Sequence, residues 1–510
     1  MWAEQVERAV VSESKEAQGQ FAVSDALRPR AHSVIPGGAH TYAKGDDQYP
    51  VLAPGFIARG SGCHVWDADG NAFIEYGMGL RAIGLGHAFP AVVAAAVQQM
   101  QRGANFTRPS PLEVECAESL LEVVPGAEMV KFTKDGSTAT TAAVRLARAY
   151  TGRDLVALCA DHPFYSYDDW AISTTPMDTG IPQDVARLTL TFRYNDLAGV
   201  AALFSAHPGR IAAVIMEAAK DVEPADGYLA GLRELCHRNG ALLIFDEMIT
   251  GFRWPQRAAQ RHYGVEADLS TFGKALGNGF AVSALVGKRE IMRLGGLDHD
   301  RDRVFLLSTT HGAETHALAA ALAVMEVYRS EPVVETLDRQ GRRLKTGIES
   351  AVARHSLGGH FQLAGRPANL VYACRDRDGA ASQVFRTLFL QETIRRGLLA
   401  PSLVVSYSHS NDDIDRTVEA IDGALGVYRR ALEDGPEVHL VGRPVQPVFR
   451  KRGTPITPAL LPRELGVASK GHKPKAIDVK SLSALRQNDD RDLAAVSLQG
   501  PPSVPSKHAD

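Results

Sequence analysis

Two short stretches restrict what this chain can fold into more than any others. Leu243-Ile244-Phe245-Asp246-Glu247 is apolar at successive positions, so it suits a strand buried on both faces of a covered sheet, and it ends in carboxylates. Beginning 24 residues after Asp246, Ser270-Thr271-Phe272-Gly273-Lys274-Ala275-Leu276-Gly277-Asn278-Gly279 sets one lysine in a turn of small residues. Open α/β sheets place their ligands beyond the carboxyl ends of the strands, which is where Asp246 falls.

The surrounding pattern agrees with such a sheet. From about residue 90 to 325, helix and strand signals alternate. Helices are expected at Ala91–Met100, Glu113–Leu121, Ala139–Tyr150 and Leu229–Arg238, and strands at Met129–Phe132, Leu155–Cys159, Ala212–Met216 and Ala241–Asp246. That order predicts a parallel sheet covered on both faces, an α/β fold. Residues 1–30 read as a charged, partly helical extension and 31–90 as the N-terminal part of a smaller domain. His64–Tyr76 forms a hairpin within that part, turning at Asp69-Gly70. The large domain spans 91–325. Residues 326–435 complete the small domain, with helices at Pro332–Arg354, Ala381–Arg396 and Asp413–Glu433 and strands near Gln362 and Leu370. The tail 436–510 holds 10 of the 27 prolines and 12 Lys+Arg against 7 Asp+Glu, so it is expected to be disordered or loosely docked.

Composition excludes several functions. A net charge of -3 gives no footprint for nucleic acid or an anionic membrane, and no run of about 18 apolar residues supplies a membrane span. Charges at the N-terminus argue against a secretory signal. The five cysteines (63, 116, 159, 236 and 374) are scattered without CxxC spacing, as expected of free thiols in the cytoplasm. Asp67–Met78 fails as a calcium loop, having Ala72 where glycine is required and Met78 where glutamate is required. His311 and His316 are five apart and no HExxH occurs, so no metal site is expected.

The chemistry that remains centres on Lys274. An amine crowded by small residues and partly desolvated loses its proton more easily and can attack an aldehyde. Paired with a carboxylate at the end of a buried strand, it suits pyridoxal 5'-phosphate: the amine forms a Schiff base, and Asp246 keeps the pyridine nitrogen protonated so that the ring withdraws electrons. The alternative for Asp246 is a cap on the next turn. Met248, two residues on, is placed to pack against the ring. Lys134-Asp135-Gly136-Ser137-Thr138-Ala139 follows a strand and opens a helix, so its amides and hydroxyls form either an anion cradle or an ordinary cap. His162–Trp170 is an aromatic loop directly after a strand, able to lie on a cofactor face or to cover a core edge. GxGxxG, GxxxxGK[ST] and GxSxG are absent, which disfavours nicotinamide, nucleoside triphosphate and serine-hydrolase chemistry.

Taken together, the chain resembles the class III aminotransferases of PLP fold type I, in their glutamate-1-semialdehyde 2,1-aminomutase-like branch. The resemblance covers roughly residues 30–430. It rests on Ile35-Pro36-Gly37-Gly38, Val65–Asn71, Gly136–Arg153, Asn239–Arg253, Phe272-Gly273-Lys274 and Leu399–Ser402. It implies a large domain on a mainly parallel, seven-stranded-type sheet with a smaller α/β domain. In that pattern Lys274 holds the cofactor and moves the proton, and Asp246 pairs with the pyridine nitrogen. Gly136 and Ser137 hold the phosphate, and Phe164 stacks on the ring. Thr310 contacts the phosphate from the neighbouring subunit, which implies a homodimer with shared active sites. Tyr42, Lys44, Tyr165 and Arg253 are candidates for substrate contact. The expected activity moves an amino group between a small-molecule amino donor and a keto or aldehyde acceptor. An intramolecular aminomutase is the alternative, and a non-catalytic binding protein on the same fold the remote one. The chain departs from the aminomutase pattern at three places: Lys44 replaces an arginine, Thr138 replaces a glutamate, and Leu403-Val404 follow Pro401-Ser402 in place of a phenylalanine–glutamate pair.

Overall fold

In this computed structural model, residues 21–162 and 164–451 are described. A seven-stranded sheet, in the order β4-β10-β9-β8-β7-β5-β6, organises the larger part. Its strands are β4 (Met129–Thr133), β5 (Leu155–Cys159), β6 (Thr189–Phe192), β7 (Ile211–Met216), β8 (Leu242–Asp246), β9 (Leu269–Phe272) and β10 (Ser283–Gly287). All neighbours pair in parallel except β10, which runs antiparallel to both β4 and β9.

Alternation along β8 shows how the sheet is covered. Leu242 and Ile244 pack with Ala142, Ala143 and Leu146 of the helix Gly136–Thr151. Leu243 and Phe245 pack on the opposite face with Leu229, Leu232 and Leu235 of the helix Tyr228–Arg238. A strand with both faces buried must be apolar at every position, which explains its unbroken Leu-Leu-Ile-Phe run. The same parity sends Asp246 toward the face on which the helix Gly136–Thr151 begins, and Glu247 toward the other.

A second sheet is assembled from distant parts of the chain. β1 (Ile57–Ser61), β2 (His64–Asp67) and β3 (Ala72–Glu75) form an antiparallel meander, and Leu398–Leu399 adds to β3 in parallel. Phe361–Ala364 and Val371–Cys374 make a separate two-stranded ladder. The helices Val333–Arg354 and Asn411–Asp434 contribute Leu337, Leu344, Ile348, Ile421, Leu425 and Tyr428 to the core beside it.

Expected elements are found within a few residues of their sequence positions, and the structure adds others. β9 reads as part of a turn because Leu-Ser-Thr-Phe is short and half polar. Its polar members are satisfied inside: Ser270 Oγ accepts from Gln260 Nε2 at 2.9 Å. β1, β6 and β10, and the helices Leu197–Ala206 and Thr315–Ser330, also lie outside the sequence expectation. The helix Ala22–Val34 starts inside the expected 1–30 extension and is held by Asp69, whose carboxylate accepts from Val23 N and Ser24 N. Of the expected tail, residues 436–451 are ordered against the body, with Val445 buried. The rest of that expectation, and residues 1–20, lie outside the described residues.

Candidate active site

Asp246 ends β8 and is buried at 2% exposure. Its Oδ1 accepts from the Met248 amide at 2.9 Å and from Thr271 Oγ1 at 3.2 Å. Burial raises its carboxyl above the usual range, while Lys274 and these two donors pull it back. Glu247, the adjacent acid, does something else. Its oxygens accept from Ala259 N at 2.9 Å and Gln260 N at 2.8 Å, and Thr250 Oγ1 donates to it, so it fastens the start of the next helix on the opposite face.

Lys274 follows β9 and opens a short turn, Lys274–Leu276. Its φ of 46° lies in the left-handed region, a costly conformation for a lysine and one that clusters at functional sites. The side chain is half-buried. Burial lowers its amine from the ordinary lysine value, and the carboxylates of Asp246 and Glu217 oppose that shift. The turn is tied down by Asn278. Its Oδ1 accepts from Gly84 N and Leu85 N at 3.0 and 2.9 Å, and its Nδ2 donates to Gly86 O at 3.0 Å.

Glu217 is the acid that the sequence analysis missed. It follows β7 immediately and is buried, and its carboxyl is pushed up to about 8, chiefly by burial and then by Asp246. Lys274, Arg81 and Lys220 act in the opposite direction. The signal was present: Ile211–Met216 is an unbroken apolar run ending in a carboxylate, the same pattern that singled out Asp246. His162 is beside it. Its Nδ1 accepts from Glu217 N at 3.0 Å and lies 2.6 Å from the Tyr165 hydroxyl, so the ring proton sits on Nε2. Nε2 is buried and has no partner among the described residues. Burial, and then Lys220, depress this imidazole to about 3, so the ring is neutral.

The helix Gly136–Thr151 begins next to these groups. Asp135 caps it, accepting from Thr138 N at 2.9 Å. Ser137 is buried, and its Oγ accepts from Tyr167 N at 3.2 Å. Met248 links helix start and lysine turn. A methyl group added at Gly136 would stand 2.9 Å from its sulfur, and one at Gly273 would stand 2.7 Å from it. The absence of a side chain at both glycines is what lets Met248 pack against the helix start and the lysine turn at once.

The other expected residues are distributed as follows. Phe164 is 48% exposed, at the tip of the aromatic loop. Tyr165 is buried, with its hydroxyl between His162 Nδ1 and Cys159 O. Arg253 is fully enclosed, and its Nη atoms donate to the carbonyls of Arg81, Ile83 and Val405. The polar ends of both side chains therefore face protein. Tyr42 and Lys44 are both exposed on the turn Tyr42–Lys44. Thr310 is exposed, and its carbonyl accepts from Asn105 Nδ2 at 3.0 Å. Beside it Glu314 pairs with Lys134 and, at 3.1 Å, with His311 Nδ1.

These features fit pyridoxal phosphate. They comprise an acid at a strand end, a strained and half-buried lysine, a capped helix start with free glycine backbone, and an unpartnered imidazole N–H beside them. Comparisons with known proteins agree. The family model Aminotransferase class-III matches residues 42–358. The chain is 33% identical over 433 residues to the glutamate-1-semialdehyde 2,1-aminomutase of Desulforamulus reducens, covering 81% of this chain and 98% of that one. The PLP internal aldimine form of the FumI protein of Sphingopyxis sp. MTA144 superposes with a TM-score of 0.74 at 30% identity, covering 81% of this chain and 97% of that one. An omega-transaminase from Sphaerobacter thermophilus gives a TM-score of 0.71 at 27% identity, with coverages of 82% and 99%. The chain is therefore a member of the class III aminotransferase family, a PLP-dependent enzyme of fold type I.

Proposed function

We propose that this aminotransferase works through Lys274 as the covalent anchor and proton carrier and through Asp246 as the partner of the pyridine nitrogen. The observation that carries this is the placement of both groups at the carboxyl ends of adjacent parallel strands, with Met248 between the lysine turn and the Gly136 helix start. Bound pyridoxal phosphate supplies an aldehyde for the amino group and an electron-withdrawing ring. The protein's own residues do the rest. Lys274, its amine lowered by burial, would hold and pass on the transferred proton at Nζ. Asp246, fixed by the Met248 amide and the Thr271 hydroxyl, holds its charge toward the ring nitrogen. Gly136 and Ser137 would offer backbone and hydroxyl donors to the phosphate, and Phe164 would cover the ring. Tyr42 and Lys44 face the substrate; Tyr165 and Arg253 support the walls behind it.

The same reading makes the enzyme a homodimer. Val93, Val97 and Met100 form an exposed apolar stripe on the helix Pro90–Met100, with Phe106 exposed just beyond, and a second copy would cover it. Thr310, exposed on its loop, then reaches the partner's phosphate. The small domain is formed by 31–90 with 326–435 and the large one by 91–325. Five buried cysteines without a disulfide favour the cytoplasm, and no helix among the described residues is long and apolar enough to cross a membrane.

Intramolecular aminomutation is the second reading, favoured by the 33% identity to an aminomutase. Hydride trapping of the holoenzyme followed by peptide mass spectrometry tests the anchor: the label is expected on Lys274, and a label on any other residue rejects it. A screen of amino donors then separates the two reactions, because an aminomutase forms product with no second donor.

A further inference from the structure

Beyond its last long helix the chain turns back over the body. The Val441 amide donates to Gln391 Oε1 and the Val445 amide to Thr387 Oγ1, each at 2.8 Å, so the segment follows the helix Gln383–Ile394. It then reaches the turn Asp46–Gln48, which directly follows the turn Tyr42–Lys44 in the chain. The Gln446 amide donates to Asp47 O at 2.9 Å, Arg443 Nη2 donates to the Asp46 carbonyl, and Arg450 pairs with the Asp47 carboxylate. Arg450 is itself ordered by a 2.7 Å bond from Nη1 to Pro447 O. Between these ties, Phe449 enters the wall of a cavity of about 190 Å³ whose other walls include His162, Phe164, Tyr165 and Ser166. The Desulforamulus relative is covered to 98% while 81% of this chain is matched, so this chain carries length that the relative lacks.

We propose that Phe449 is a positioning residue of this enzyme: the strap 441–450, clamped on Asp46 and Asp47, holds Phe449 against the 162–166 loop and so fixes Phe164 where it must lie on the ring. The proposal rests on the active-site reading above. Its physical basis is the exposure of Phe164. A half-exposed aromatic side chain at a loop tip has several rotamers available, and a second ring across the cavity removes some of them. His162 and Tyr165, on the same loop, are already fixed by Glu217 and Cys159, which leaves Phe164 as the member that needs an external support. The strap also joins the turn Asp46–Gln48, next in the chain after Tyr42 and Lys44, to this loop.

The test compares holoenzymes of the wild type, Phe449→Ala, Phe449→Leu and Arg450→Ala. The readouts are kcat and KM for one amino donor, visible circular dichroism of the bound cofactor, and Tm. Phe449→Ala is expected to lose about tenfold in kcat/KM, as misplacement of a positioning group does. Its cofactor dichroism should change, with Tm within about 2 °C of wild type. Phe449→Leu should recover most of the loss, and Arg450→Ala should shift the dichroism the same way. Unchanged kinetics and dichroism in Phe449→Ala overturn the proposal, as does a loss that merely follows a fallen Tm. Hydride trapping on the wild type separates the two ideas: a label away from Lys274 sinks the active-site reading, whereas a silent Phe449→Ala with the label on Lys274 sinks only this one.

Discussion

Thr271 stands directly opposite Asp246 in the β8–β9 ladder, and its hydroxyl donates to Oδ1 of that carboxylate at 3.2 Å. Among the described residues, only the Met248 amide otherwise donates to this oxygen. A hydrogen bond to a charged group is worth about 1.5–3 kcal/mol, so Thr271→Val should leave the carboxylate both harder to ionise and freer to turn. The expected outcome is a roughly tenfold fall in kcat with retention of cofactor, measured by steady-state kinetics and absorbance titration.

Asp246 and Glu247 are adjacent in sequence and opposite in role. Asp246→Asn removes the charge aimed at the ring nitrogen while keeping the shape, and turnover is expected to fall by about a hundredfold or more with Tm little changed. Glu247→Gln weakens the bonds from the Ala259 and Gln260 amides, and one buried charge-assisted network of this kind is worth about 1–3 kcal/mol. That variant should lose Tm and keep most of its turnover per folded molecule. The reverse pattern would exchange the two assignments.

Glu217 makes the stability of the cofactor-free protein depend on pH in a definite direction. Its folded carboxyl titrates near 8 and its ordinary value is 4.5. Between those values the folded protein holds a proton that the unfolded chain has released, so this group lowers stability as pH rises from 4.5 to 8. Lys274, lowered by burial, contributes the opposite slope; below about pH 8 the folded Glu217 is neutral like the glutamine that replaces it, so that slope is shared by both proteins. Thermal melts of Glu217→Gln and wild type should therefore coincide near pH 4.5 and diverge toward pH 8, with the variant more stable. Parallel curves across the range would remove Glu217 from the buried charge cluster.

The sequence made Asp246 and Lys274 legible for different reasons. An apolar strand ending in an acid is a one-dimensional pattern, and a lysine among glycines is another, so both could be read before any fold was known. Glu217 carried the first pattern too, but Ala218-Ala219-Lys220 follow it, and no second motif drew attention to it. β9 was hidden because its polar residues are satisfied by Gln260 and Asp246, partners that only the folded sheet supplies. Tyr165 and Arg253 have substrate-like chemistry in a string of letters. Their polar atoms turn out to meet protein groups brought from β5, the 78–83 turn and Val405, contacts no local pattern encodes.

Asn278 offers the sharpest test of how the lysine turn is held. Its side chain satisfies two amides and one carbonyl of the 84–86 turn, all buried, and its own φ of 43° is a conformation asparagine tolerates better than alanine. Asn278→Ala orphans three backbone groups at about 1–3 kcal/mol each and adds backbone strain, so a loss of at least about 3 kcal/mol is expected. Asn278→Asp keeps the acceptor for Gly84 and Leu85 but cannot donate to Gly86 O, and should fall between the two. Because the turn also sets the conformation of Lys274, activity per folded molecule should decline in the same order. Urea unfolding paired with the rate of cofactor reduction by an amino donor measures both. Equal stability for all three proteins would show that Lys274 is held by the β9–β10 strands alone.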